Sequence, residues 1–222
     1  MIFNRELLFL HVPKTAGKSI AQSLTATLSR PLWAYVPVGT ERSLRTIEGI
    51  EEDEQVTFER SSGHEGVSKA YQTMREVGLD PRELRMVMLV VRRPYDLMVS
   101  NYHFMREQYD NNVGRPNFEL ARELEFGDWV EQASFADMSR YFLVHQRTQP
   151  EVLRVLRYER LADDYAEAMA ELGYHPEPLP HLNASTHDEA DSFLTPGIEA
   201  AIYEKFRYVF DQGYYERATP SA

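Results

Sequence analysis

Leu7-Leu8-Phe9-Leu10-His11-Val12-Pro13-Lys14-Thr15-Ala16-Gly17-Lys18-Ser19-Ile20 passes from an apolar run through a polar loop into an amphipathic pattern. The run Leu7–Leu10 has the length of a buried strand. Pro13 has no N–H to give a strand ladder and ends it. Gly17 allows a tight turn, and beyond it Ile20, Leu24 and Leu28 recur on one helical face. Strand, tight loop and helix N-terminus form the arrangement with which α/β proteins hold phosphate. N–H groups ahead of the helix ladder and the positive end of the helix dipole face the anion. Lys14, Thr15, Lys18 and Ser19 add charge and hydroxyl donors to the same loop. The loop reads as an anion cradle.

The chain of 222 residues is 43% hydrophobic and 27% charged, enough to fill one core, and a single α/β domain is the simplest organisation. The absence of cysteine excludes disulfides and thiolate metal sites. A net charge of −11 argues against nucleic acid or an anionic membrane as partner. It also makes the basic clusters informative: Lys14 with Lys18, and Arg92 beside Arg93, mark places where an anion sits. The apolar run that follows Met1–Glu6 is too short for a signal-peptide core or a membrane span. A cytoplasmic protein without stable membrane insertion is expected. Nothing in the sequence speaks to the oligomeric state.

Further along, Trp33–Val38 reads as a strand, residues 40–55 as a surface loop or short helix, and Val56–Arg60 as an alternating strand ending in Ser61-Ser62-Gly63-His64-Glu65-Gly66. Val67–Val77 reads as a helix closed by Gly78. Arg85–Val91 is the most continuous apolar run, as a parallel strand covered on both faces requires. Pro94 is placed to head the next helix, from Tyr95 to Tyr109. Gly114-Arg115-Pro116 marks a loop, and Phe126–His145 one or two helices. Val152–Tyr158 reads as the last strand, followed by helices over Asp163–Leu172 and through Ile198, Ile202, Phe206 and Val209. Strands separated by helices predict a parallel sheet with right-handed crossovers, with Lys14, His64 and Arg92 on the rim at its carboxyl ends.

Two patterns compare with the cradle. The P-loop consensus GxxxxGK[ST] fits Gly17-Lys18-Ser19, but its first glycine falls on Val12. His11-Val12-Pro13-Lys14-Thr15-Ala16-Gly17-Lys18-Ser19 resembles the Pro-Lys-Thr-Ala-Gly loop of PAPS-dependent sulfotransferases, with Lys18 where that family often has Thr. PAPS is 3′-phosphoadenylyl sulfate. Arg92-Arg93-Pro94-Tyr95-Asp96-Leu97-Met98-Val99-Ser100-Asn101-Tyr102 resembles the family's RDPxxRxxSxY stretch. Here Arg93 replaces the usual Asp, and Leu97 stands where Arg is common. Tyr102-His103-Phe104-Met105-Arg106 resembles the continuation found in uronyl 2-O-sulfotransferases. Tyr158-Glu159-Arg160-Leu161, Leu182-Asn183-Ala184-Ser185 and Phe210-Asp211-Gln212-Gly213-Tyr214 resemble later motifs of the same superfamily. The matches run in order from residue 7 to about 214, and the chain resembles a compact bacterial version without a membrane anchor.

The resemblance implies a three-layer α/β/α fold with a central parallel sheet, P-loop-NTPase-like, in one domain over residues 1–222, with about 107–150 as a helical lid or acceptor wall. It implies transfer of a sulfuryl group from PAPS to a hydroxyl of a carbohydrate, lipid-linked sugar or small metabolite, leaving PAP. In that family the Arg and Ser corresponding to Arg92 and Ser100 hold the 3′-phosphate. Lys14, Thr15, Ala16, Gly17, Lys18 and Ser19 then serve the phosphosulfate. Charge grows on the bridging oxygen as it leaves, so a cation fixed there contributes most, and Lys14 is the candidate. No metal is expected. A hydroxyl acceptor needs a base, and His64 matches a Gly-His position of the family with a suitable pKa. Glu65 and His103 stand in reserve. His11 reads as structural, and Arg106 either meets an anionic acceptor or lies on a helix surface. A P-loop-type kinase using Lys18, Ser19 and Mg²⁺, or a non-catalytic nucleotide-binding scaffold, are the alternatives. The acidic run Glu119, Glu123, Glu125, Asp128 and Glu131 favours a neutral or cationic acceptor over a highly sulfated polymer.

Overall fold

The computed structural model describes residues 1–38, 41–47, 64–179 and 190–220. The strand expected over Val56–Arg60, Gly63, and the motif Leu182–Ser185 lie outside those residues. In order, the chain forms β1 (Ile2–Phe3), β2 (Leu7–Leu10), α1 (Gly17–Thr27), β3 (Leu32–Val38), β4 (Glu41–Ile47), α2 (Val67–Glu76) and β5 (Met86–Val91). It continues through α3 (Pro94–Glu107), α4 (Pro116–Glu123), α5 (Phe126–Gln132) and α6 (Ser139–Phe142) to β6 (Leu153–Arg157), α7 (Leu161–Glu171) and α8 (Pro196–Asp211). Two compact units result: Met1–Val91 with Arg140–Asn183, and Arg92–Ser139 with Ala184–Ala222.

The first unit is built on a mixed sheet in the order β4-β3-β1-β2-β5-β6. β2, β5 and β6 pair in parallel, and β5 is buried at every position. Leu7, Phe9, Met86, Met88, Val90 and Leu156 face Ile20 and Leu24 of α1 and Ala168 and Met169 of α7. Leu8, Leu10, Val87 and Leu89, at the alternate positions, are fully buried too. Both faces are therefore covered, which is why these strands read as unbroken apolar runs. Each fully buried Leu or Met side chain contributes about 1.5–3 kcal/mol. α2 and α7 each close on a left-handed glycine, Gly78 at φ 81° and Gly173 at φ 84°, whose neighbours satisfy the last helical carbonyls.

The other half of the sheet corrects the expectation of a parallel array. β1 pairs antiparallel with both β2 and β3, and β3 pairs antiparallel with β4. The cause is a turn at Asn4, whose buried side chain accepts from the amides of Glu6 and Leu7 at 2.9 and 2.8 Å and folds β1 back on β2. Residues 41–47, expected as loop or short helix, form β4. Their sequence, Glu-Arg-Ser-Leu-Arg-Thr-Ile, has no apolar run to announce a strand.

The second unit is helical and centred on α3, which contacts α4, α5 and α8. Pro116 opens α4 at its first position, a helix that the loop reading of Gly114-Arg115-Pro116 passes over. Tyr102 of α3 packs on Phe126 and on the fully buried Trp129 of α5, with ring centroids 5.5 and 5.3 Å apart. Thr195 caps α8 by accepting from Ile198 N–H at 3.3 Å. Buried Glu199 of α8 accepts from Tyr95 Oη at 2.9 Å and from Arg217 at 3.0 and 2.6 Å.

Candidate active site

β2 delivers the chain into the cradle through His11, Val12 and Pro13. Thr15, fully buried, closes the loop by donating its hydroxyl proton to the Val12 carbonyl at 2.9 Å. That proton is committed, so Thr15 offers an anion its main-chain N–H. On either side Lys14 (φ 62°) and Ala16 (φ 59°, ψ 24°) occupy the left-handed region. A non-glycine residue spends about 1–2 kcal/mol to sit there, and such alternation turns successive N–H groups into an anion-binding concavity. The first ladder bond at the head of α1 runs from Ile20 N–H to the Ala16 carbonyl, 3.2 Å. The amides of Gly17, Lys18 and Ser19 therefore stand ahead of the ladder, at the positive end of the dipole. Lys14 is half-buried, Lys18 exposed and Ser19 buried.

Gly17 is fixed by close approach. A Cβ on it would lie 1.9 Å from the His11 ring, so no larger residue fits while that ring stays in place. The His11 ring in turn meets the His64 ring edge-on, centroids 4.6 Å apart, and His64 Nδ1 lies 2.8 Å from the His11 carbonyl oxygen. A carbonyl only accepts, so Nδ1 carries the proton, and the basic lone pair of a neutral His64 is on Nε2. The His64 carbonyl accepts from Arg140 Nη2 and Tyr141 Oη, both at 3.3 Å. Gly66, two residues on, packs against Arg140: a Cβ there would lie 2.5 Å from the Arg140 carbonyl oxygen. Burial, with the neighbouring His64 and Lys18 acting in the same direction, holds His11 well below the ordinary imidazole range, and it stays neutral. Glu65, beside His64, keeps its Oε2 buried without a hydrogen-bond partner in the described structure.

In the second unit, Arg92 and Arg93 precede Pro94, the first residue of α3, and Ser100 lies on that helix, 1% exposed. Arg93, which stands where the resembled family has Asp, is bound to Asp191 and lies 3.6 Å from Asp96, with its guanidinium over the Tyr95 ring. Two carboxylates thus hold Arg93, which answers how two adjacent arginines are accommodated. Arg106 donates to Tyr102 Oη at 2.7 Å and to the Ala121 carbonyl at 3.2 Å, tying α3 to α4. His103, the reserve base on α3, packs its ring on Tyr102 at 5.5 Å.

The unit around β2 thus brings together the cradle loop, His11 and His64, which lie 53 residues apart in the chain. Sequence reasoning singled out Lys14 and His64 but took His11 as structural, and it had no signal for Arg140 or Tyr141. Their side chains reach a backbone carbonyl 76 and 77 residues away, and backbone acceptors leave no trace in residue types. Among the described residues no group of three or more His, Cys, Asp or Glu stands where it could hold a metal ion. Among them, too, no helix is long and apolar enough to cross a membrane.

Comparison with known proteins bears on the same chain. No curated protein matches it. The family model described as the sulfotransferase domain matches residues 81–174, from just before β5 to the turn that closes α7. That span holds the parallel β5–β6 pair, Arg92 and Ser100. Sulfuryl transfer is the chemistry such a domain carries, and over residues 81–174 this chain is similar to the sulfotransferase domain.

Proposed function

We propose that this protein transfers the sulfuryl group of PAPS to a hydroxyl of a carbohydrate, lipid-linked sugar or small metabolite. The observation that carries the reading is the cradle: two non-glycine residues, Lys14 and Ala16, held left-handed at the head of α1. Backbone strain of this kind persists where function uses it. The amides of residues 15–19 and the ammonium of Lys14 suit the oxygens of a phosphosulfate, and a fork-shaped Arg92 with the Ser100 hydroxyl suits a phosphate monoester.

In this proposal PAPS supplies the activated sulfuryl group, and the protein supplies position and charge. Lys14 stabilises the negative charge that develops on the bridging oxygen. The amides of Gly17, Lys18 and Ser19 keep the adjoining phosphate in line. Nε2 of His64 takes the proton of the acceptor hydroxyl as the oxygen–sulfur bond forms, and Nδ1, held by the His11 carbonyl, keeps the ring in the tautomer able to do so. Residues of about 107–150 form the acceptor wall.

Thermal unfolding with PAP, with ADP and with Mg·ATP tests the donor. A ligand at about a hundred times its Kd stabilises by about 2.7 kcal/mol. The expected result is a large shift with PAP and a small one with ADP, which isolates the 3′-phosphate. A shift with Mg·ATP alone would instead make the cradle a kinase-type phosphate loop worked by Lys18 and Ser19.

A further inference from the structure

His11 has no part in the transfer just described beyond its carbonyl, yet its ring touches both halves of the machinery in the first unit. Its imidazole covers Gly17 so closely that a single added Cβ would fall 1.9 Å from Nε2 and Cδ2. On the other side the ring abuts His64 edge-on at 4.6 Å. Behind it, Phe9 stacks on the same ring at 6.2 Å, its side chain fully buried in the core. His11 itself is 8% exposed. A ring enclosed on these three sides has little freedom to turn, because a packed interior transmits displacement rather than absorbing it.

We propose that His11 is a positioning residue: its ring, wedged between Gly17 of the cradle and His64, holds the His11 carbonyl on His64 Nδ1 and so couples the cradle's geometry to the proton-accepting nitrogen. The inference rests on the assignment of His64 as the base. Its structural part, the coupling from residue 17 through residue 11 to residue 64, stands or falls without it. Burial keeps the wedge neutral near pH 7, so it adds no positive charge beside the lone pair that must accept a proton. Gly17 and His64 are 47 positions apart, and in this account a change at one reaches the other through residue 11.

The test uses ¹⁵N NMR of the histidine rings in the whole protein, without donor or acceptor, alongside turnover. In the wild type His64 is expected to show the Nδ1–H tautomer. Gly17→Ala, which forces the His11 ring aside, is expected to shift His64 toward the Nε2–H form that free imidazole prefers and to lower kcat about tenfold. His11→Ala is expected to do the same. In the double variant the added methyl meets no ring, so Gly17→Ala has little further effect on the His64 signals or on kcat, a non-additive pair. A wild-type spectrum with His64 protonated on Nε2 overturns the proposal whether or not any variant folds. So do wild-type His64 signals in Gly17→Ala, or strictly additive effects. If the coupling appears in the spectra while PAP fails to stabilise the wild type, the sulfotransferase reading fails and the wedge remains.

Discussion

In the proposed reaction, Lys14 separates stability from activity at a single residue. Its φ of 62° is comfortable for glycine and strained for lysine. Lys14→Gly is expected to change unfolding free energy by no more than about 1 kcal/mol while lowering turnover at least about a hundredfold, as loss of a charge-stabilising group does. Urea melts and a PAP-release assay on the same preparation check both halves. His11 gives a second prediction. Burial, first, and then His64, the amino terminus and Lys18 depress its pKa, so the unfolded chain takes up the proton more readily than the folded one. The stability linked to neutral His11 is full above its ordinary value of 6.5 and drains away as pH falls below it. Urea midpoints from pH 8 to pH 5 should fall in the wild type and fall less in His11→Gln. Neither effect was legible in the sequence. It names Lys14 and His11 as residue types, but left-handed backbone and ring enclosure arise only once Gly17 and His64 are in place.

At the level of elements, α2 meets the segment beginning at Arg140 at Gly66, where there is no room for a side chain. A methyl group on Gly66 would meet the Arg140 carbonyl oxygen at 2.5 Å, and a carbonyl oxygen has no rotamer through which to escape. Gly66→Ala is expected to lose about 1–3 kcal/mol, read from urea unfolding, and to carry His64 away from its Arg140 and Tyr141 contacts. Elements with one dominant physical cause were readable from the chain. Leu7–Leu10 and Met86–Val91 are covered on both faces, and Pro94 followed by helical spacing makes α3 plain. Those set by partners were not. Ile2–Phe3 is too short to carry a period, and it becomes a strand because Asn4 turns it onto β2. Glu41–Ile47 is polar and becomes a strand because β3 offers it a ladder. Pro116 signals both a turn and a helix start, and only the α3 and α5 surfaces decide for the helix.

The whole molecule carries a net charge of −11 and, in this proposal, handles an anionic donor, so the cradle works against the surrounding field. Uncharged acceptors are expected to react faster than polyanionic counterparts at low ionic strength. The gap should narrow as salt rises from about 0.01 to about 0.3 M, because the Debye length shrinks from about 30 Å to less than 10 Å. Initial rates with a neutral sugar and its sulfated analogue check this, and a preference unmoved by salt would place discrimination in local contacts instead. The field is readable from composition, whereas the division into two units is not, since each is assembled from two separate stretches of chain. One further consequence belongs to the sheet's outer margin. β6 is the terminal strand of the described sheet, and the Asp164 carboxylate accepts from the Arg157 main-chain N–H at 2.9 Å. A carboxylate on an edge amide occupies the donor that an incoming strand would claim, and Arg154, paired with Glu167 and Glu171, adds charge along the same strand. What serves within the fold as the seam between β6 and α7 is, toward other copies of the chain, a guard against fibril growth.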